Sequence, residues 1–259
     1  MEDQNSPINS PAEANPTRVP VRFSTAAAKP TVTTVIIVVT ILVFGLQYLS
    51  QYLSPNQYDW PYLLGGKINE LILAGQVWRL FTPMLLHGSI MHIGFNMYAL
   101  YVIGSSLERH YGHWRFLLLY LIGGFTGNVL SFMLSAKPSI GASTAVFGLV
   151  AAQAVFIYMN RKLFGSRARG MLMNLGLVIM VNLVLGLSPG IDNWGHLGGL
   201  AGGFIFAWVA GPLYTMAIAP DSTTGYSLID AHGSKEVLWG AMLSSGLFLA
   251  VVIGRFLAG

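Results

Sequence analysis

Residues 31–53 read TVTTVIIVVTILVFGLQYLSQYL, a run without a single Asp, Glu, Lys or Arg. A helix needs about 20 apolar residues to cross roughly 30 Å of hydrocarbon, and this stretch supplies them. Six further segments of similar character follow, at 90–108, 115–135, 140–160, 171–188, 193–212 and 236–256. The composition points the same way. Of 259 residues, 54% are hydrophobic and 9% charged, whereas a soluble domain devotes about a quarter of its residues to charge. The sequence therefore predicts an all-α polytopic membrane protein with the bilayer as its solvent. Gly, Ser and Thr recur within the segments, and such small residues let membrane helices approach closely.

Orientation follows from Lys and Arg in the loops. With the N-terminus inside, cytoplasmic segments hold Arg18, Arg22, Lys29, Arg109, Arg115, Arg161, Lys162, Arg167, Arg169 and Lys235. The opposite side holds Lys67, Arg79, Lys137 and Arg255. Seven spans then place the C-terminus outside. The pI near 9.4 is explained by this asymmetry rather than by nucleic acid, because the basic residues sit beside spans. There is no cysteine, which excludes disulfides and thiolate metal sites. The first span is too long for a signal-peptide core, so it reads as a retained anchor.

Outside the spans, residues 1–30 form a polar tail expected to be flexible and cytoplasmic. Residues 54–89 mix Trp60, Tyr62, Ile68, Leu71, Trp78 and Leu80, which suits a structured loop lying in the membrane interface. Residues 213–235, with Pro220, Asp221 and Gly225, read as a cytoplasmic link to a last helix at 236–259. No internal repeat is evident.

In a chain that keeps polar side chains out of its spans, the exceptions carry the information. The second, fourth and sixth segments run from outside to inside, and each has a notable polar residue near its outer end. These are His92 with Asn96, Ser143, and His196. At 1.5 Å per residue they share one shallow depth. His92 and Asn96 are spaced i, i+4 and project from one face. Ser143 lies in Gly141-Ala142-Ser143-Thr144-Ala145-Val146-Phe147-Gly148. His196 lies in Gly195-His196-Leu197-Gly198-Gly199-Leu200-Ala201-Gly202-Gly203, where the glycines at 195, 199 and 203 form a smooth stripe for close helix packing. A serine hydroxyl becomes a good nucleophile when a histidine takes its proton. Peptide cleavage also needs donors for the oxyanion, such as the Asn96 amide, an imidazole N–H and a backbone N–H. Asp192, four residues before His196, is the only acid near either histidine, so the pattern favours a Ser–His dyad over a triad.

The order Trp78-Arg79, Thr82, His87, His92-x-x-x-Asn96, Glu108-Arg109, Gly141-x-Ser143 and His196-x-x-Gly199-x-x-x-Gly203 resembles the rhomboid intramembrane proteases across residues 78–208. The resemblance implies Ser143 and His196 as catalytic pair, His92 and Asn96 lining the oxyanion hole, and Phe147 packing against the histidine. It further implies a metal-free enzyme without cofactors, with a six-helix transmembrane core at 31–212 and a seventh helix appended. Its partners would be transmembrane protein substrates in a lipid bilayer, its location a plasma membrane of bacterial type. Thr144 departs from the family pattern, which has glycine there. The β-branched residue adds bulk beside the nucleophile and reads as tuning, with Thr144→Gly expected to stay active and with room to raise the rate.

Blander readings stand beside these. A lone membrane serine usually bonds its own helix backbone, and the glycine stripe is ordinary packing. His87 reads as a structural interfacial histidine, Trp78-Arg79 as a loop anchor, and Glu108-Arg109 as a polar cluster fixing the second helix. His110, His113 and His232 fall away from the site. A metalloprotease would need His-Glu-x-x-His, and an aspartyl protease a second buried aspartate. A transporter would show inverted repeats or broken helices near mid-membrane. The remaining alternative to a protease is a pseudoprotease that binds membrane clients, a class that typically lacks the serine or the histidine.

Overall fold

The computed structural model describes residues 29–218 and 226–257. Most of the tail at 1–30, and Pro220, Asp221 and Gly225 of the link, lie outside these residues. Helix α1 spans Thr31–Leu53, the bounds expected from its uncharged run. The second segment extends from Ile90 to Tyr111. It comprises α4 (Ile90–Ala99), a π-helical turn at Leu100–Gly104 and α5 (Ser105–Tyr111). Between α1 and α4 the connection folds into α2 (Trp60–Gly65), α3 (Asn69–Leu73) and two 3₁₀ turns, Val77–Leu80 and Thr82–Leu85. Then come α6 (His113–Leu134), α7 (Ser143–Met159), the short α8 (Arg161–Phe164), α9 (Arg167–Leu185), α10 (Asn193–Ala210) and α11 (Ser234–Leu257).

Five of these helical segments are long and apolar enough to cross a membrane: α1, the Ile90–Tyr111 segment, α6, α9 and α11. The sequence reading expected seven. The fourth, α7, begins at Ser143 and not near residue 140, which leaves 17 residues. The sixth, α10, is diluted by five glycines, Asn193 and His196. Both have a physical reason to fall short. Twelve of the 17 residues of α7 and nine of the 18 of α10 are buried, so protein supplies much of their surroundings and the lipid-facing requirement on composition is relaxed. By contrast only 6% of the apolar window of α9 is buried, against 67% for α6.

The link at 213–235 holds a structure that the reading as a plain linker missed. Strands β1 (Tyr214–Ile218) and β2 (Tyr226–Asp230) pair antiparallel, Tyr214 opposite Asp230. The hairpin is fastened to α6 by Arg115, whose guanidinium donates to Asp230 Oδ2 at 2.7 Å and to the His232 carbonyl at 2.8 Å. Apart from this two-stranded sheet the described residues are helical or irregular.

The connection at 54–89 is held from within. Arg79, 2% exposed, donates to the Gly66 and Leu63 carbonyls at 2.7 and 2.6 Å, and Trp78 Nε1 donates to the Leu64 carbonyl. This is the loop-anchoring geometry expected of the pair. At the other end of the bundle the buried Glu108 carboxylate accepts from Val32 N, Thr33 N and Thr33 Oγ1 at 2.7–2.8 Å, satisfying first-turn amides of α1. His113 Nδ1 lies 2.6 Å from the same carboxylate.

Glycine sets the spacing of the inner helices. A Cβ at Gly199 would lie 2.0 Å from the Thr144 carbonyl oxygen, and one at Gly203 would lie 2.3 Å from the Gly148 carbonyl oxygen. The stripe at 195, 199 and 203 therefore lies on α7. A second stripe on α10, at Gly198 and Gly202, meets Thr126 of α6: a Cβ at Gly198 would lie 2.5 Å from its carbonyl oxygen and one at Gly202 would lie 2.0 Å from its Oγ1. Helix α10 is thus wedged between two neighbours at backbone contact, which fixes where His196 can stand.

Candidate active site

Three helix starts carry the polar residues. Ser143 is the first residue of α7 and His196 the fourth of α10. His92 is the third residue of α4, whose N-cap Ser89 accepts from His92 N at 3.2 Å. Asp192 caps α10 by accepting from Gly195 N at 3.0 Å. Because α7 and α10 are pressed together through glycine, the half-buried Ser143 and buried His196 meet. His196 Nε2 is 3.0 Å from Ser143 Oγ. The phenyl ring of Phe147, one turn beyond Ser143, stacks on the imidazole at a centroid distance of 4.2 Å and an interplanar angle of 13°. This leaves the imidazole little freedom to turn away.

The other nitrogen of His196, Nδ1, has no hydrogen-bond partner among the described residues. The Asp192 carboxylate is engaged elsewhere. Its Oδ1 takes the Gly195 amide, and its Oδ2 accepts a hydrogen bond from Ser131 Oγ of α6. Among the described residues no carboxylate hydrogen-bonds to His196, whose polar side-chain contact is to Ser143.

Gly141 governs the approach to Ser143. Its φ of +134° is a backbone conformation that favours glycine. A Cβ there would also lie 2.7 Å from His92 Nε2 and 3.7 Å from Ser143 Oγ. His92 and Ser143 thus flank the same glycine. Asn96, one turn along α4, is buried, and its Nδ2 has no partner among the described residues. An amide donor in this state costs free energy, about 1–3 kcal/mol, unless something arrives to accept from it. The first three amides of α7 have no intrahelical acceptor either, since helical bonding begins with Val146 donating to Ala142.

His87 is closer to the site than a purely interfacial role suggests. Its Nε2 accepts the Ala142 amide at 3.3 Å, and its ring stands 4.9 Å from that of His92. Burial first, and His92 second, push its pKa down to about 3, so the ring is neutral and able to accept. It holds the peptide immediately before Ser143. Spacing along the chain did not reveal this, because His87 lies on the loop before α4 and its partner is 55 residues away.

Thr144 is explained by its neighbours. Its side chain turns towards α6 and α10, where a Cβ on Gly127 would lie 2.6 Å from Thr144 Cβ and one on Gly195 would lie 3.0 Å from its Cγ2. Two glycines make room for the bulk that the family glycine would not need. The side chain fills a notch, so its packing supplies no reason for Thr144→Gly to be faster. The variant should keep its activity and lose roughly 1–2 kcal/mol of stability through the void and the added backbone freedom. Thermal unfolding and a cleavage assay on the same preparation check both halves.

Among the described residues no cluster of three or more His, Asp or Glu could hold a metal ion. A family model described as the Rhomboid domain matches residues 74–213. The Rhomboid protease GluP of Bacillus subtilis (strain 168) is 42% identical over 184 residues, which cover 71% of this chain and 35% of that protein. RHOMBOID-like protein 9, chloroplastic, of Arabidopsis thaliana is 36% identical over 154 residues, 59% of this chain and 36% of that protein. RHOMBOID-like protein 5 of the same plant is 36% identical over 201 residues, 76% of this chain and 64% of that protein. The chain spans roughly a third of the first two relatives' length and under two-thirds of the third's.

Proposed function

Since the chain belongs to the rhomboid family and is an integral membrane protein with several apolar helices, we propose that it is an intramembrane serine endopeptidase acting on transmembrane protein substrates. The observation that carries the reading is the 3.0 Å contact between Ser143 Oγ and His196 Nε2, held by backbone-to-backbone packing of their helices. His196 takes the hydroxyl proton as Ser143 Oγ attacks the peptide carbonyl carbon. The negative oxygen that forms is received by Asn96 Nδ2, by His92 and by an unpaired amide at the start of α7. His196 then returns the proton to the departing amine as the C–N bond breaks, leaving an acyl-enzyme on Ser143. A water molecule, deprotonated by the same imidazole, releases the carboxylate product. A fluorophosphonate probe incubated with the folded, detergent-solubilised protein should label one residue, mapped by mass spectrometry to Ser143. Labelling that is absent, or that survives equally in denatured protein, would sink the reading.

The topology proposed with it puts the N-terminus in the cytoplasm and the active site near the outer surface, as the charge asymmetry indicates. Seven crossings would put the C-terminus outside, with the hairpin and Arg115 in the cytoplasm. Reporter fusions at residue 165 and at the C-terminus test this. A cytoplasmic C-terminus would remove one crossing from the set.

A further inference from the structure

Lys67 is 0% exposed, in a loop where an ammonium could readily reach water. Buried lysines are rare unless partnered, and this one is fully engaged. Its Nζ donates to the Lys137 and Ser135 carbonyls at 2.8 and 3.0 Å, to Ser131 Oγ at 3.0 Å and to the Ser131 carbonyl at 3.4 Å. The Ser131 hydroxyl, accepting from the ammonium, donates in turn to Asp192 Oδ2. The other oxygen of Asp192 caps the first turn of α10 through Gly195 N, one residue before His196. On the opposite side the backbone of Lys67 exchanges two hydrogen bonds with Ser139, at 3.0 and 3.1 Å. Ser139 stands two residues before Gly141, on the strand of chain that leads into Ser143.

From this arrangement we infer that Lys67 is a positioning residue that sets the nucleophile and its base in register. Its backbone bonds to Ser139, together with its ammonium on the Ser135 and Lys137 carbonyls, hold the segment ahead of Ser143. Its ammonium, relayed by the Ser131 hydroxyl, holds the Asp192 cap ahead of His196. The inference rests on the protease reading for its catalytic consequence, but the coupling itself does not. The polarity of the relay is consistent along its length: cation, hydroxyl, carboxylate, amide. Asp192 is thereby accounted for without placing it on the histidine. Asn69 reinforces the same joint, its Nδ2 donating to the Phe132 and Ser135 carbonyls.

The relay needs the charged form, since a neutral amine has too few hydrogens for these acceptors. Burial lowers the Lys67 pKa to about 8, while the facing carboxylates Asp192 and Glu70 oppose that fall. Lys137 faces it with its carbonyl. The charged network therefore stands below about pH 8 and is lost as pH rises through that value.

The test uses the full chain in detergent with Lys67→Met, Ser131→Ala and Asp192→Asn. Hydrogen exchange reads the coupling without any activity. Lys67→Met should quicken exchange at both 139–142 and 193–197 by roughly 10- to 100-fold, the range expected for leaving buried polar partners unpaired. Ser131→Ala should do so mainly at 193–197. Loosening confined to the loop around residue 67 would overturn the proposal. In cleavage of a transmembrane substrate, Ser131→Ala and Lys67→Met should lower kcat by a similar factor with KM little changed. The decline of wild-type turnover above about pH 8 should be missing in Lys67→Met. Variants that unfold more readily yet keep wild-type kcat and pH profile would reduce Lys67 to a structural role and also overturn it. If Lys67→Met does not fold, the subtler Ser131→Ala decides by the same readouts. If wild type neither cleaves nor reacts with a fluorophosphonate, the protease reading fails while the exchange data still judge the coupling.

Discussion

Ser143→Ala should reduce cleavage of a transmembrane substrate by a factor on the order of 10⁶ in kcat, the size of effect seen when a Ser–His unit loses its nucleophile. That corresponds to about 8 kcal/mol of transition-state stabilisation. Thr144, the adjacent hydroxyl residue, turns into the Gly127 and Gly195 notch. The substitution leaves the glycine contacts between α7 and α10 untouched and breaks one side-chain hydrogen bond, to His196. Thermal unfolding should therefore move little, as for a change that creates neither cavity nor unpaired buried charge. Turnover close to wild type in a folded Ser143→Ala protein would remove Ser143 from the chemistry. Such a result would favour a second hydrolytic site or a client-binding role for the family scaffold.

Asn96→Ala carries the next largest effect and discriminates catalysis from binding. Loss of one oxyanion donor costs about 10²–10³ in kcat, roughly 3–4 kcal/mol, while substrate binding should barely change. The structure sharpens this expectation, because Asn96 Nδ2 makes no hydrogen bond among the described residues. Its removal breaks no hydrogen bond of that amide, and relief of the unpaired donor opposes the packing lost with a buried side chain, so stability should change little. A protein that only binds membrane clients would instead show altered affinity and no turnover to lose. Steady-state kinetics on wild type and variant, matched for unfolding temperature, separate the two cases. Equal kcat in both would dismiss Asn96 as an oxyanion donor.

How legible these features were depends on how local their signals are. The ends of α1 could be read because an uncharged run of the right length has hard edges. The pairing of Ser143 with His196 was legible in part, because small residues around each announce close packing and shallow polar residues are expensive in a bilayer. The start of α7 at Ser143 was not, since Ser139-Ile140-Gly141-Ala142 is as apolar and small as the helix that follows. The second glycine stripe, at 198 and 202, was hidden by its neighbour, because a helix so rich in glycine offers no polar face by which to tell its sides apart. The hairpin at Tyr214–Asp230 escaped because its strands are five residues each, and its anchor, Arg115, lies 115 positions from Asp230. His87 and Lys67 act through partners 55 to 70 residues away. No spacing rule reaches that far.

The Glu108 cap on α1 has a consequence for biogenesis. The backbone amides of Val32 and Thr33 find their acceptor 76 and 75 residues later in the chain. A ribosome making this protein therefore delivers α1 well before its capping carboxylate exists. Until Glu108 has emerged and the Ile90–Tyr111 segment has inserted, the first turn of α1 must borrow water or lipid headgroups for its donors. Dry hydrocarbon offers neither. Early in synthesis α1 should thus sit with its first turn at the wet boundary, free to slide and tilt. Arrival of Glu108 converts a floating anchor into a docked one. The order of synthesis and the order of assembly are in this way kept in step by a single carboxylate.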